Sequence, residues 1–169
     1  MIANNYTLVP AKENKHLFTP TQKLFWDKLF GDDDSDTTLN RADFNPKEFS
    51  TFLPNIWMAE LLVDENSQLA DIRMTLVGTK VAKVYGEITN QLIIEDESEN
   101  SLKYKMKDTY KRFIMLSHEL LEKDIPFYTH VEYLEENKNY VTATALTFPM
   151  CKNSPKTNMI LGYVEITYR

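Results

Sequence analysis

Alternating apolar and polar residues predict a β-strand with one buried face at residues 71–77. Its apolar positions are Ile72, Met74 and Leu76, and the polar residues between them give the two-residue period of a half-buried strand. Gly78 follows directly and is predicted to end the strand, because a residue without Cβ can turn the chain where other residues clash. The chain is therefore expected to leave the sheet at this point.

A short helix is predicted at residues 79–85, directly after this glycine. Thr79 is expected to cap it through its hydroxyl group. Val84 and Tyr85 follow Val81 at spacings of three and four residues, which places all three on one side of a helix. The helix is thus expected to lie with that side against the sheet.

Three further helices are predicted elsewhere in the chain. The first begins near Pro20 and ends at Gly31, since proline suits a first helical turn and glycine suits a helix end. A short helix is predicted at 45–53. A long helix is predicted at 100–123, where apolar residues recur every three or four positions.

Four more strands are predicted, at 56–63, 127–134, 140–150 and 158–168. Strands 56–63 and 71–77 are expected to pair as a hairpin, because consecutive strands usually lie side by side. The last two strands carry apolar residues on both faces, so the sheet needs two covers. We therefore expect an α+β fold with a five-stranded antiparallel sheet. The inserted helices would cover one face, and the N-terminal helix or a second subunit would cover the other.

The chain of 169 residues is expected to form one domain with an N-terminal extension. Residues 1–16 are polar and lack periodicity, which predicts a flexible arm. Residues 17–38 would hold the N-terminal helix and an acidic loop, and residues 39–169 the main domain. The acidic loop resembles a calcium loop in its carboxylates but lacks the required glycine and glutamate. A solvated linker without metal is therefore expected.

Charge and cysteine content argue against several classes of function. There are 25 acidic and 19 basic residues, so neither a nucleic-acid partner nor an anionic membrane surface is favoured. The basic residues at 103–112 are expected to form an ordinary solvated helix face. Cys151 is the lone cysteine, which favours a reducing compartment. With no secretory signal or membrane-spanning stretch in the sequence, a cytoplasmic location is expected.

Five short segments, taken in order, resemble a PAS-like family found mainly in alphaproteobacteria. They are residues 41–46 (RADFNP), 53–56 (LPNI), 72–79 (IRMTLVGT), 85–89 (YGEIT) and 148–150 (FPM). One departure is Asn90, which stands where that family often has glycine; asparagine tolerates the left-handed backbone better than most residues. The resemblance implies a PAS-like sheet with inserted helices on one face, and a sensory or regulatory role without catalytic output.

A PAS-like fold implies a ligand pocket between the sheet and the inserted helices. The candidate lining residues are Met74, Leu76, Val84, Tyr85, Phe113, Leu116, Tyr128, His130, Leu146 and Phe148. The same side chains could simply fill a core, since a pocket and a core share an apolar lining. Output is expected through a partner protein or a homodimer. The candidate dimer residues lie on the N-terminal helix: Leu24, Phe25, Trp26 and Phe30.

Other chemistry is less well supported by the sequence. His118 lies off the apolar stripe of the long helix, which argues against haem, and Cys151 ends a strand, which argues against a flavin adduct. An enzyme of the isomerase or dehydratase type would need a general base in the same cavity, and His130 with Glu132 is the candidate pair. A ligand-free interaction domain is the third alternative. The identity of a ligand does not follow from the sequence.

Overall fold

The structure, a computed structural model that describes residues 5–169, is a mixed α+β fold built on a seven-stranded sheet. The strands are β1 (Tyr6–Pro10), β2 (Leu39–Asn40), β3 (Ile56–Val63), β4 (Leu69–Val77), β5 (Phe127–Val131), β6 (Val141–Cys151) and β7 (Met159–Tyr168). The helices are α1 (Pro20–Phe30), α2 (Thr79–Tyr85), α3 (Leu102–Lys105) and α4 (Lys107–Lys123). Within the described residues, no helix has both the length and the apolar character needed to cross a bilayer.

The five predicted strands pair as a mostly antiparallel sheet. The order is β1-β5-β6-β7-β3-β4, and the short β2 adds in parallel to β6. β3 and β4 form the predicted hairpin. β7 lies between β6 and β3, with Met58 opposite Leu161, and so joins the C-terminal strands to the hairpin.

The flexible arm predicted for residues 1–16 is wrong where the structure describes it. Residues 1–4 lie outside the described residues, but Tyr6–Pro10 is a strand that pairs with β5, with Tyr6 opposite Val131. Tyr6 and Leu8 also pack against the core. Two apolar residues in alternation are too short a pattern to predict a strand. The exposed hydrogen-bonding edge of β5 provides the partner that makes this segment extended.

Both faces of the sheet are buried, as the two-sided pattern predicts. One face, packed against α2, α3 and α4, includes Val141, Ala143, Ile160 and Val164. The opposite face, packed against α1 and the turns that follow it, includes Leu146, Phe148, Leu161 and Tyr163. Alternate residues of a strand point to opposite faces, so each strand except the short β2 contributes to two separate apolar cores.

Helix α1 covers the second face, so this chain needs no second subunit for that purpose. Thr19 and Gln22 form a reciprocal capping box at its start, and Gly31 follows its end at φ 67°. The Phe25 ring stacks on Tyr163, with centroids 4.7 Å apart and an interplanar angle of 13°. Residues 17–38 therefore belong to the same folded unit as the main domain.

The long helix predicted at 100–123 is broken. Met106 has φ −138° and ψ 73°, which separates α3 from α4. The helix predicted at 45–53 is also wrong, because this stretch instead holds two 3₁₀ turns, at Pro46–Phe49 and Leu53–Asn55. The Asn45 cap of the first turn is nevertheless as expected, since the Asn45 side chain accepts a hydrogen bond from the Lys47 amide.

The corner between β4 and α2 differs in detail from the prediction. Gly78 has φ −64°, an ordinary value, and is itself the cap of α2, whereas Thr79 is its first helical residue and makes no capping bond. Glycine is needed here because a Cβ would overlap the backbone carbonyls of Leu53 and Pro54. The requirement is close approach of two backbones and not an unusual dihedral angle.

The segment after α2 protects the outer edge of β4. The amide of Asn90 donates to the Met74 carbonyl, and the amide of Ile93 donates to that of Ile72. Asn90 has φ 67°, so it takes up the left-handed conformation for which asparagine is suited. The buried Asp71 carboxylate accepts from the amides of Ile94 and Glu95 and fixes the start of the acidic segment.

Candidate ligand cavity

A cavity of about 120 Å³ lies between the sheet and helices α2 and α4. Most of its wall is apolar: Trp57, Met74, Val81, Ile88, Leu102, Phe113, Leu116, Val131, Leu134, Ala143, Ala145 and Val164. Its polar wall residues are Tyr6, Tyr85, Thr109, Arg112, Thr129 and Thr147. Apolar cavities of roughly 150 Å³ can hold a benzene molecule, so this one is close to the size of a single aromatic ring.

Small side chains on the sheet leave this space open. Ala143 and Ala145 face the helices from β6, where larger residues would reach α4. Trp57 forms a neighbouring wall, and its ring meets Phe113 edge-on with centroids 5.2 Å apart. The cavity therefore lies where a floor of small residues meets a wall of aromatic ones.

Four of the predicted pocket residues line the cavity: Met74, Tyr85, Phe113 and Leu116. Val84 packs in the same apolar core without lining the space. The helical spacing in α2 and α4 and the alternation in β4 thus identified one wall of the site.

Four other predicted pocket residues lie on the wrong face of the sheet. Tyr128, Leu146 and Phe148 pack in the core beneath α1. His130 sits between Thr129 and Val131, which both line the cavity, so it points to the opposite face. A two-residue period separates two sets of side chains but does not say which set meets the inserted helices.

Leu76 also lies on the α1 side, for a different reason. Ala59 pairs with Met74 and Met58 pairs with Leu76, so the register shifts between these two pairs and Thr75 is an extra residue in β4. A β-bulge of this kind reverses the alternation beyond it. Leu76 therefore packs with the second core, although Met74, two residues earlier, lines the cavity.

The residue that sequence reasoning missed is Arg112. The sequence places it among the basic residues of 103–112 that were expected to be solvated, yet Arg112 is only 7% exposed and lines the cavity. Its Nη2 donates to the Leu134 carbonyl at 2.7 Å and to Thr109 Oγ1 at 3.1 Å. A usable signal was present, because Arg112 precedes Leu116 by four residues and so lies on the buried side of α4.

Glu135 lies close to Arg112 but is engaged mainly by the start of α4. Its carboxylate accepts from the Asp108 amide at 3.1 Å and from the Thr109 amide at 2.7 Å. Its Oε2 is 3.9 Å from Arg112 Nη2, which is an ion pair beyond hydrogen-bonding distance. Carboxylates are stabilised at helix N-termini, so Glu135 neutralises the arginine only in part.

Two tyrosines share the polar end of the cavity with Arg112. Burial raises the pKa of Tyr6 and the pKa of Tyr85 to about 12, and the positive charge of Arg112 offsets part of that rise. The Arg112 guanidinium lies over the Tyr6 ring, 5.8 Å from its centroid. Both hydroxyls are therefore protonated at neutral pH and can donate hydrogen bonds.

The residues considered for the other kinds of chemistry lie outside the cavity. Neither His130 nor Glu132 lines the cavity, and His118 is exposed on α4. Among residues 5–169, no group of three or more His, Cys, Asp or Glu side chains could hold a metal ion. In the acidic loop, Asp34 accepts a hydrogen bond from Trp26 Nε1 at 3.0 Å and pairs with Lys15, so this carboxylate anchors the loop to α1.

The predicted dimer residues on α1 divide into two groups. Phe25 and Trp26 are fully buried beneath the helix and are core residues, not surface contacts. Phe30 is partly buried and packs on Phe148, with centroids 5.9 Å apart. Leu24, which is 62% exposed, is the one of the four with a largely free side chain.

Comparisons of the chain with protein-family models, with curated proteins and with solved structures find no match. Its function is therefore inferred from the cavity and its surroundings.

Proposed function

We propose that this chain is a PAS-type sensory or regulatory domain that binds a small molecule in the cavity and has no catalytic output of its own. The order of elements supports this reading. A hairpin (β3 and β4) precedes the inserted helices, and β5, β6 and β7 follow them and return to pair with β3. A reducing, cytoplasmic setting fits the single buried cysteine.

The observation that carries the proposal is an apolar cavity with a buried cationic group in its wall. Sites for small molecules are typically apolar with a few placed polar groups, and the Arg112 end of this cavity has that character. Within the described chain, the lining contains no His, Asp or Glu side chain. A general base of the kind an isomerase or dehydratase uses is thus missing from the wall, which favours binding over catalysis.

The sheet provides a route from the cavity to the opposite surface. Val164 lines the cavity, whereas the adjacent Tyr163 stacks on Phe25 of α1. A ligand that shifts β7 would therefore move the contact between the sheet and α1. The exposed Leu24 lies on that helix. A partner protein or a second copy of the chain that binds at Leu24 would therefore respond to the movement of α1.

The test is native mass spectrometry of the protein purified from its own host, followed by identification of any retained small molecule. Ala145→Leu is the blocking variant, because Ala145 lines the cavity. Ala70→Leu is the matched control, because Ala70 is exposed on β4. We expect a retained molecule in the wild type and the control and none in Ala145→Leu.

Two results would count against the proposal. A wild-type protein that retains nothing and gains no thermal stability from a metabolite library would favour an interaction domain without a ligand. Chemical conversion of a retained molecule during incubation would favour an enzyme.

A further inference from the structure

We propose that the cavity binds a small monocarboxylic acid with an apolar body, and that the Arg112 guanidinium holds its carboxylate. This inference rests on the proposed function, because it names the class of ligand that the cavity accepts. It follows from how Arg112 is bonded, from what lies around it and from the shape of the remaining space.

The bonding of Arg112 leaves two of its three side-chain nitrogens without a hydrogen-bond partner in the described chain. Both hydrogen bonds to residues 5–169 leave from Nη2, one to the Leu134 carbonyl and one to Thr109 Oγ1. Nε and Nη1 donate to no group in the described chain. A guanidinium has five N–H donors, and with both N–H groups of Nη2 engaged the remaining ones lie on Nε and Nη1. Each of these nitrogens can donate a single charge-assisted hydrogen bond to a carboxylate oxygen.

The charges around Arg112 leave a net positive character at this end of the cavity. Glu135 is the nearby anion, but its oxygens are held at 2.7 and 3.1 Å by the first amides of α4 and lie 3.9 Å from Nη2. A helix N-terminus carries the equivalent of roughly half a positive charge. One carboxylate therefore faces an arginine and a helix end together, and the positive charge that remains favours a second anion.

The hydroxyls of Tyr6 and Tyr85 add to this recognition. Both residues line the cavity, and burial raises the pKa of each to about 12, so they are donors at neutral pH. Hydrogen bonds from neutral donors to an anion are stronger than those to a neutral acceptor. An uncharged ligand would use these groups less well than a carboxylate does.

The remaining wall selects an apolar body of modest size. Phe113, Leu116 and Met74 form part of it, and the total space is about 120 Å³. A single ring or a short branched chain fills such a volume, whereas a di- or tricarboxylate would place a second charge against apolar side chains without a partner. A monocarboxylate is thus the class that satisfies both ends of the cavity.

The test compares three probes of nearly equal shape by isothermal titration calorimetry at pH 7. Benzoate carries the carboxylate, while benzamide and benzyl alcohol are uncharged. We expect wild-type protein to bind benzoate at least tenfold more tightly than either neutral probe. Arg112→Lys should retain part of that preference, and Arg112→Gln should abolish it while binding benzyl alcohol as before. Lys111→Gln, which removes an exposed charge from the same helix, should change nothing.

The outcomes separate this inference from the proposed function. Equal affinity of the wild type for all three probes would overturn the carboxylate assignment but leave a ligand cavity in place. Failure of all three probes to bind would also overturn the carboxylate assignment. The native mass spectrometry experiment would then test on its own whether the cavity binds a ligand. If Arg112→Gln does not fold, as judged by circular dichroism, the wild-type preference and the Arg112→Lys result decide. A purely structural arginine would give no such preference in the wild type.

Discussion

The indole ring of Trp57 occupies the space above Gly162, its direct partner across the β3–β7 pair. A Cβ at residue 162 would overlap that ring. Trp57 lines the cavity and meets Phe113 of α4. The absence of a Cβ at Gly162 therefore allows the Trp57 ring to take the position in which it lines the cavity.

Gly162→Ala is expected to displace the Trp57 ring and to destabilise the fold by about 1–3 kcal/mol, the usual cost of overpacking a core. Urea denaturation measures this loss. In a Trp57→Leu background the same alanine should cost clearly less, because the overlapping ring is gone. Equal costs in the two backgrounds would show that Trp57 is not the residue that requires glycine.

Phe25→Ala and Leu24→Ala are neighbouring substitutions on α1 with very different expected effects. Phe25 is fully buried against Tyr163 and Phe148, so its truncation should cost about 3–5 kcal/mol. Leu24 is largely exposed, so its truncation should change the free energy of unfolding by about 0.5 kcal/mol or less. Chemical denaturation compares them. Similar losses would contradict the packing of α1 on this face of the sheet.

Thr19→Ala should destabilise the start of α1. The Thr19 hydroxyl accepts from the Gln22 amide at 3.1 Å and donates to Glu165 at 2.6 Å, and loss of an N-cap typically costs about 1 kcal/mol. Thermal unfolding followed by circular dichroism measures the change. Thr21→Ala, at an exposed position in the first turn, is the control and should have little effect.

Tyr85 should make the protein less stable at high pH. Burial raises its pKa from 10.0 to about 12, so above pH 10 the unfolded chain loses this proton while the folded chain keeps it. By linkage, the contribution is complete below pH 10 and is lost as the pH rises to about 12. Free energies of unfolding at pH 9 and at pH 11.5 should show this fall.

Tyr85→Phe should make that fall shallower without removing it, because Tyr6 and Tyr163 also have raised pKa values. Absorbance of phenolate at 295 nm should likewise show one fewer late-titrating group. Tyr140→Phe, at an exposed position, is the matched control. A variant with the wild-type slope would mean that the Tyr85 hydroxyl is not desolvated.

Strands β3 to β7 and the two ends of α1 could be predicted from the sequence because their signals are local. Helix α1 begins at Pro20 and stops at Gly31 as predicted, and the hairpin at 56–77 lies where its alternation places it. Hydrogen bonding within three or four residues decides such features. The break at Met106 was not predicted, because residues 102–105 and 107–123 are both helical and the helical spacing of apolar residues continues from one to the other.

The candidate site was predictable only in part. Met74 lines the cavity and Leu146 does not, because only one face of the sheet meets helices α2 and α4. The alternation of apolar residues does not predict which face that is. The β-bulge at Thr75 reversed the direction of Leu76. Arg112 was missed because a charged residue on a helix is usually solvated, and its partners include the distant residues Leu134 and Glu135.

The sequence by itself determined five of the seven strands, that both faces of the sheet are apolar and that two covers are required, because periodicity is a property of neighbours along the chain. The tertiary structure decided that α1 is the second cover, that residues 6–10 extend the sheet and that Arg112 turns inward to the cavity. Those outcomes depend on contacts between residues far apart in sequence. Such contacts form only when the chain folds, so the local pattern of residues does not specify them.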